Sequence, residues 1–180
     1  MYGLINKSIE ELVKEKFSEK IWLQILEKSN IEQDFFISSE AYDDSVTYKL
    51  VGAISELTGL SVSDVLLTFG EWWVLRTSKE KYGSLMEAGG KNLKEFLVNL
   101  PVFHNRVMLI YPKLTPPEFK VSHIEKNSIY VHYFSKREGL QDFVKGLLLG
   151  LGKMYETPVN VELLESRDAG QPNEIFKVSW

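Results

Sequence analysis

Apolar residues recur at helical spacing through roughly the first hundred positions of the chain and alternate with polar ones further on. Ile5, Ile9, Leu12, Val13 and Phe17 line one side of a first helix, and Ser18 starts a second that carries Ile21, Trp22, Ile25 and Leu26. A loop comes next through Asp34-Phe35-Phe36-Ile37-Ser38-Ser39. Asp43-Asp44 then caps a helix whose apolar face is Leu50, Val51, Ile54 and Leu57, and Thr58-Gly59 ends it. Ser61 caps the next, with Val65, Leu66, Phe69, Trp73 and Thr77 on one side. Gly70 falls inside this pattern at a cost of about 1 kcal/mol relative to Ala, which close packing or a bend would each explain. Gly89-Gly90 breaks the pattern, Leu93, Phe96, Leu97 and Leu100 come after it, and Pro101 suits the first turn of a new helix.

From Thr115 the period becomes two. Phe119 and Val121 lead into Ile124, Glu125-Lys126-Asn127-Ser128 supplies turn residues, and a second strand begins at Ile129, which predicts a hairpin. A helix on Leu140, Phe143, Val144, Leu147, Leu148 and Leu151 comes next, with Gly146 and Gly150 placed for a close backbone approach. Strands around Val159-Val161-Leu163 and Ile175-Phe176-Lys177-Val178 close the chain, with Arg167-Asp168-Ala169-Gly170 between them. The expected fold class is α+β, a helical N-terminal part and a C-terminal four-stranded antiparallel sheet with helices. At 180 residues and 44% apolar, the expectation is a single domain over residues 1–180.

Composition narrows the chemistry. A net charge of -4 argues against a broad grip on nucleic acid, and the absence of cysteine removes disulfides, thiolate metal sites and thiol catalysis. Charges among the first residues and the lack of an apolar run of about 18 residues predict a soluble, cytoplasmic protein. There is no phosphate-cradling Gly-rich loop with a lysine, no H-E-x-x-H and no Gly-x-Ser-x-Gly. Binding is therefore expected rather than catalysis.

Two features could carry binding. In Ser128–Arg137, alternate residues share a face, so Ile129 and Val131 are succeeded by Tyr133, Ser135 and Arg137. Two hydroxyls and a guanidinium together make a trap for a carboxylate or phosphate, although a strand running out into solvent reads the same way. His104 lies one turn beyond Leu100 and one before Met108 on an otherwise apolar stripe, where a core histidine bonded to a carbonyl and a metal ligand are both open readings. His123 and His132 fall in strands and are assigned no chemistry.

Together these residues resemble the H-NOX family, the haem-containing nitric oxide and oxygen binding domains. In that family a Tyr-x-Ser-x-Arg motif holds the haem propionates, and a helical histidine about thirty residues upstream ligates the iron. The match is Tyr133, Ser135 and Arg137, with His104 in Pro101-Val102-Phe103-His104-Asn105-Arg106-Val107. It runs from Met1-Tyr2-Gly3-Leu4-Ile5-Asn6-Lys7 to the last strand and includes the Pro116-Pro117 pair. The resemblance implies haem b (iron protoporphyrin IX), buried between the helical part and the sheet, with His104 on the metal. Ile5, Leu147 and Pro117 match positions that press on the haem. Trp73 matches a distal position, which the adjacent Trp72 would take if the helix turned by one residue. Oxygen-binding members carry a tyrosine donor on the helix after the motif; the matching position here is Phe143, or Asp142 with a slip of one.

The function so implied is a haem-based sensor of nitric oxide that also binds CO. It looks like the bacterial stand-alone branch, related to the haem domain of soluble guanylate cyclase, and is not itself an enzyme. The expected partner is a separate histidine kinase or cyclic-di-GMP enzyme, with no nucleic acid and no membrane involved. An oxygen-binding haem sensor or store and a haem-free interaction module are the alternatives.

Overall fold

The structure is a computed structural model that describes residues 1–33, 35–110 and 117–180. Asp34, Thr115 and Pro116, singled out in the sequence, lie outside the described residues. The chain divides into two compact units, Met1–Phe69 and Gly70–Trp180.

The first unit holds α1 (Gly3–Lys16), α2 (Glu19–Ser29), α3 (Asp44–Thr58) and the start of α4 (Val62–Trp72). The expected capping residues do cap: Ser18 Oγ accepts from the Ile21 amide at 3.2 Å, Asp43 from Ser45 at 2.8 Å and Ser61 from Asp64 at 3.1 Å. Gly59 ends α3 at φ 74°, the left-handed conformation that suits glycine. Ile9, Leu12, Val13, Trp22, Ile25, Leu50 and Ile54 are buried. Phe17 departs from the expected apolar stripe, because α1 stops at Lys16 and the C-cap conformation turns this ring outward, 45% exposed.

In the second unit the helix begun as α4 continues through a π-helical segment, Trp73–Ser78, into α5 (Lys79–Gly89). Such segments rotate the facing of the residues beyond them and are frequent at functional sites. α6 (Leu93–Met108) runs through Pro101, so the new helix expected there is instead the second half of one already begun. The start is fixed upstream, where Asn92 Oδ1 accepts from the Glu95 amide at 2.9 Å and Glu95 Oε2 accepts from the Lys91 amide at 2.9 Å. Burial of Leu93, Phe96, Leu97, Leu100 and Val107 along its length offsets the roughly 3 kcal/mol that an interior proline costs.

The sheet is four-stranded and antiparallel, in the order β1-β2-β4-β3, with β1 (Glu118–Ser122), β2 (Ser128–Phe134), β3 (Asn160–Glu165) and β4 (Glu174–Ser179). Register puts Phe119 opposite Tyr133, Val121 opposite Val131, Ile129 opposite Val178, and Tyr133 opposite Glu174. Ile129, Val131, Phe176 and Val178 are almost wholly buried. α7 (Gln141–Met154) packs on β3, β4 and the π segment, and buries Val144, Leu148 and Leu151. The α+β class is as expected. His123 lies just past β1 rather than in it, with φ 48° and its ring stacked on Tyr130 at 4.4 Å. Among the described residues no single helix is long and apolar enough to cross a membrane.

Packing decides between the two explanations for Gly70. A Cβ there would strike the Phe143 carbonyl oxygen and come within 2.7 Å of Leu147 N, while one on Gly150 would lie 3.0 Å from Val74 Cβ. Gly70→Ala should therefore destabilise the chain by about 1–3 kcal/mol through overpacking against backbone. Gly52→Ala, inside α3 with open space around it, should stabilise by about 0.5–1 kcal/mol. Urea midpoints of the two variants, measured on the same form of the protein, check the pair.

Candidate functional site

The first residue of the expected triplet, Tyr133, is carried by β2. Tyr133 is its last inward residue and only 3% exposed, because Phe119 of β1 and Glu174 of β4 stand on either side of it. Its phenol is hydrogen-bonded to the Ser135 side chain, and burial, the largest influence on it, raises its pKa above the ordinary value, so it stays a proton donor at neutral pH. The strand ends at Phe134, and Ser135 and Arg137 lie just beyond it, half-buried. Ser135 Oγ accepts from the Arg137 amide at 3.0 Å, a local turn that brings the two side chains of the motif under one backbone constraint.

His104 sits in the C-terminal half of α6, against β1. Its ring meets Phe119 edge-on at 5.0 Å, and Phe119 in turn meets Tyr133 at 5.4 Å. The helix histidine and the triplet are thus joined through one aromatic residue that alternation alone marks only as a strand core position. Burial holds the imidazole neutral by lowering its pKa to about 4. Its Nδ1 is buried and has no hydrogen-bond partner among the described residues. A structural core histidine would be expected to have a carbonyl partner there. Among the described residues no three His, Cys, Asp or Glu side chains form a metal cage.

The remaining expected positions are found as follows. Trp73 opens the π segment and is half-buried, whereas Trp72 is buried, with Arg76 over its ring and its Nε1 lacking a hydrogen-bond partner among the described residues. Phe143 and Leu147 are half-buried on α7, and their backbone crosses Gly70, one turn before Trp73. Asp142 is half-buried beside Phe143, and Pro117 is half-buried just before β1. Ile5, half-buried on α1, belongs to the first unit.

Two residues escape a reading of the sequence. Arg167, in the turn between β3 and β4, donates to the Ser135 carbonyl at 2.6 Å, to the Arg137 carbonyl at 2.7 Å and to Glu174 Oε1 at 2.8 Å. Glu174 is 3% exposed. One signal of it does exist: alternation in Glu174-Ile175-Phe176-Lys177-Val178 puts a carboxylate on the inward phase of a strand, where it calls for a partner.

Residues 2–163 match the family described as Haem-NO-binding. The chain is 28% identical over 166 residues to Soluble guanylate cyclase gcy-31 of Caenorhabditis elegans, covering 92% of this chain and 24% of that one. It is 31% identical over 157 residues to Soluble guanylate cyclase gcy-34 of the same organism, covering 86% and 23%. The chain therefore spans about a quarter of the length of these curated relatives. Among solved structures it is similar to the Fe(II) unliganded H-NOX protein from K. algicida, with a TM-score of 0.87, 26% identity, and coverage of 99% of this chain and 96% of that one. An H-NOX protein from S. oneidensis in the Fe(II)NO ligation state gives 0.89 at 18% identity, covering 99% and 98%, a likeness of fold alone.

The depressed His104 pKa sets a pH dependence. Between the ordinary value of 6.5 and about 4 the unfolded chain takes up a proton that the folded chain refuses. Stability of the haem-free protein should accordingly fall as pH drops through that window, and this contribution should level off below it. The His104 imidazole signals in an NMR titration should move near pH 4, and His104→Gln should flatten the matching part of the stability profile.

Proposed function

The chain belongs to the Haem-NO-binding family, and on that premise we propose that it is a haem-based nitric oxide sensor. The family is a sensor domain and not a catalytic one. The observation that carries the reading is His104, a neutral helix imidazole whose buried Nδ1 has no hydrogen-bond partner among the described residues, linked through Phe119 to the Tyr133 end of the expected anion trap.

The residues fit the group. His104 would hold the iron of haem b, and Tyr133, Ser135 and Arg137 would hold its propionates, with Arg137 dominant because charge-assisted bidentate pairing is the strongest of the three. Ile5, Trp73, Pro117, Phe143 and Leu147 would supply the apolar surround. When bound, haem would supply an iron able to take a diatomic gas. Phe143 offers an apolar ring where oxygen-binding members place a phenol, which supports nitric oxide and CO over oxygen. In this reading residues 1–180 act as one cytoplasmic haem-binding domain, without nucleic acid or membrane. It reports to a separate histidine kinase or cyclic-di-GMP enzyme, as the resemblance to the stand-alone bacterial branch implies.

One observation favours an oxygen-binding sensor or store as a second reading. The buried Trp72 Nε1, without a hydrogen-bond partner among the described residues, is a donor that a polarised gas ligand would satisfy.

His104→Gly should abolish haem retention, and added imidazole should restore it; full haem content and an unchanged spectrum in the variant would remove His104 as the ligand. Arg137→Ala should hand its haem to apomyoglobin about tenfold faster than wild type or more, and Ser135→Ala much less so. The reduced protein should change its absorption spectrum with NO and with CO and keep it on brief exposure to air. A stable shift in air that Trp72→Phe removes would favour the oxygen reading.

A further inference from the structure

The segment after β2 has a supply problem. Once the strand stops at Phe134, the Ser135 and Arg137 carbonyls leave the ladder, yet both are bonded, and by the same side chain. The Arg167 guanidinium presents its two terminal nitrogens to two carbonyls two residues apart, which fixes the peptide planes between them. From the other side the Arg137 amide is tied to Ser135 Oγ. The third donor, Nε, goes to Glu174, whose β4 position opposite Tyr133 anchors the guanidinium to the sheet.

This pair is an unusual way to gain stability. The side chains are 18% and 4% exposed, and Glu174 Oε2 is buried with no hydrogen-bond partner among the described residues. Buried ion pairs are often no more stabilising than apolar residues of similar volume, so geometry is the better account of this one. Charge points the same way. Glu174 offsets the Arg167 cation, so Arg167 serves the segment as a donor of hydrogen bonds and not as a charge for a ligand.

We propose that Arg167, held by Glu174, is a positioning residue that sets the backbone of Ser135–Arg137 and through it the aim of the Arg137 guanidinium at the haem propionates. The proposal rests on the haem reading above. Lysine cannot replace Arg167, since an ammonium is a point donor without the planar fork that spans both carbonyls.

The test uses the full chain. Haem transfer to apomyoglobin is timed for wild type, Arg167→Met, Arg167→Lys, Arg137→Ala and the double variant Arg137→Ala/Arg167→Met, with thermal unfolding followed alongside. Arg167→Met should speed haem loss about tenfold and by no more than Arg137→Ala does, since Arg137 is the residue through which it acts. Arg167→Lys should rescue little of it. In the Arg137→Ala background the same change should add less than about twofold, because the residue through which Arg167 acts is gone. Wild-type rates in Arg167→Met, or equal factors in both backgrounds, would overturn the proposal and leave Arg167 a structural residue.

Amide exchange over residues 135–137 in the haem-free protein gives an independent readout. Faster exchange confined to this segment in Arg167→Met supports the pinning, and unchanged exchange rejects it. Should the wild-type chain take up no haem at all, the haem reading falls, and the exchange result alone decides whether Arg167 pins the segment.

Discussion

The site depends on β2 being paired along both edges. A strand with β1 on one side and β4 on the other cannot slip by one residue without turning Ile129 and Val131 out of the core and His132 into it. Register is therefore fixed by burial, and with it the last inward rung, Phe119–Tyr133–Glu174. Each member of that rung leads to a different part of the site: Phe119 to the imidazole on α6, Tyr133 to the Ser135 hydroxyl, and Glu174 to the guanidinium that holds the chain after the strand. One hydrophobic constraint thus aligns three polar connections.

A second constraint acts on the helices of the same unit. Gly70 and Gly150 let the end of α4, the π segment and α7 approach at backbone distance, with the Phe143 and Leu147 main chain against Gly70 and that of Glu71 near Gly150. The stripe of α4 ends on the other tryptophan from the one expected. Trp73, four residues after Phe69, is the expected member, whereas Trp72, three after Phe69 and seven after Val65, is the deeper of the two.

The electrostatics are spare. His104 is kept uncharged by burial, Arg167 is offset by Glu174, and Arg137 stands at the end of the strand with two hydroxyl-bearing neighbours. A neutral nitrogen at one place and a cation with hydroxyls at another suit a flat apolar group with a metal at its centre and anions at its rim. On the proposed reading, affinity then comes from apolar contact, while the two polar grips fix orientation.

The helices, their caps and the change of period are legible in the chain alone, because capping and alternation are local: Ser18, Asp43 and Ser61 can be read from neighbours within a few positions. The match of His104 with Tyr133, Ser135 and Arg137 is legible too, since both lie in short motifs. The passage of α6 through Pro101 is not, because the burial that offsets a proline comes from distant partners. Nor is the service of Arg167 to Ser135 and Arg137. Hydrogen-bond partners some thirty residues apart are chosen by strand order, and β4 lies beside β2 only once the sheet is assembled. The state of His104 Nδ1, without a hydrogen-bond partner among the described residues, likewise exists only in the packed chain, where burial removes the water that would otherwise have bonded it.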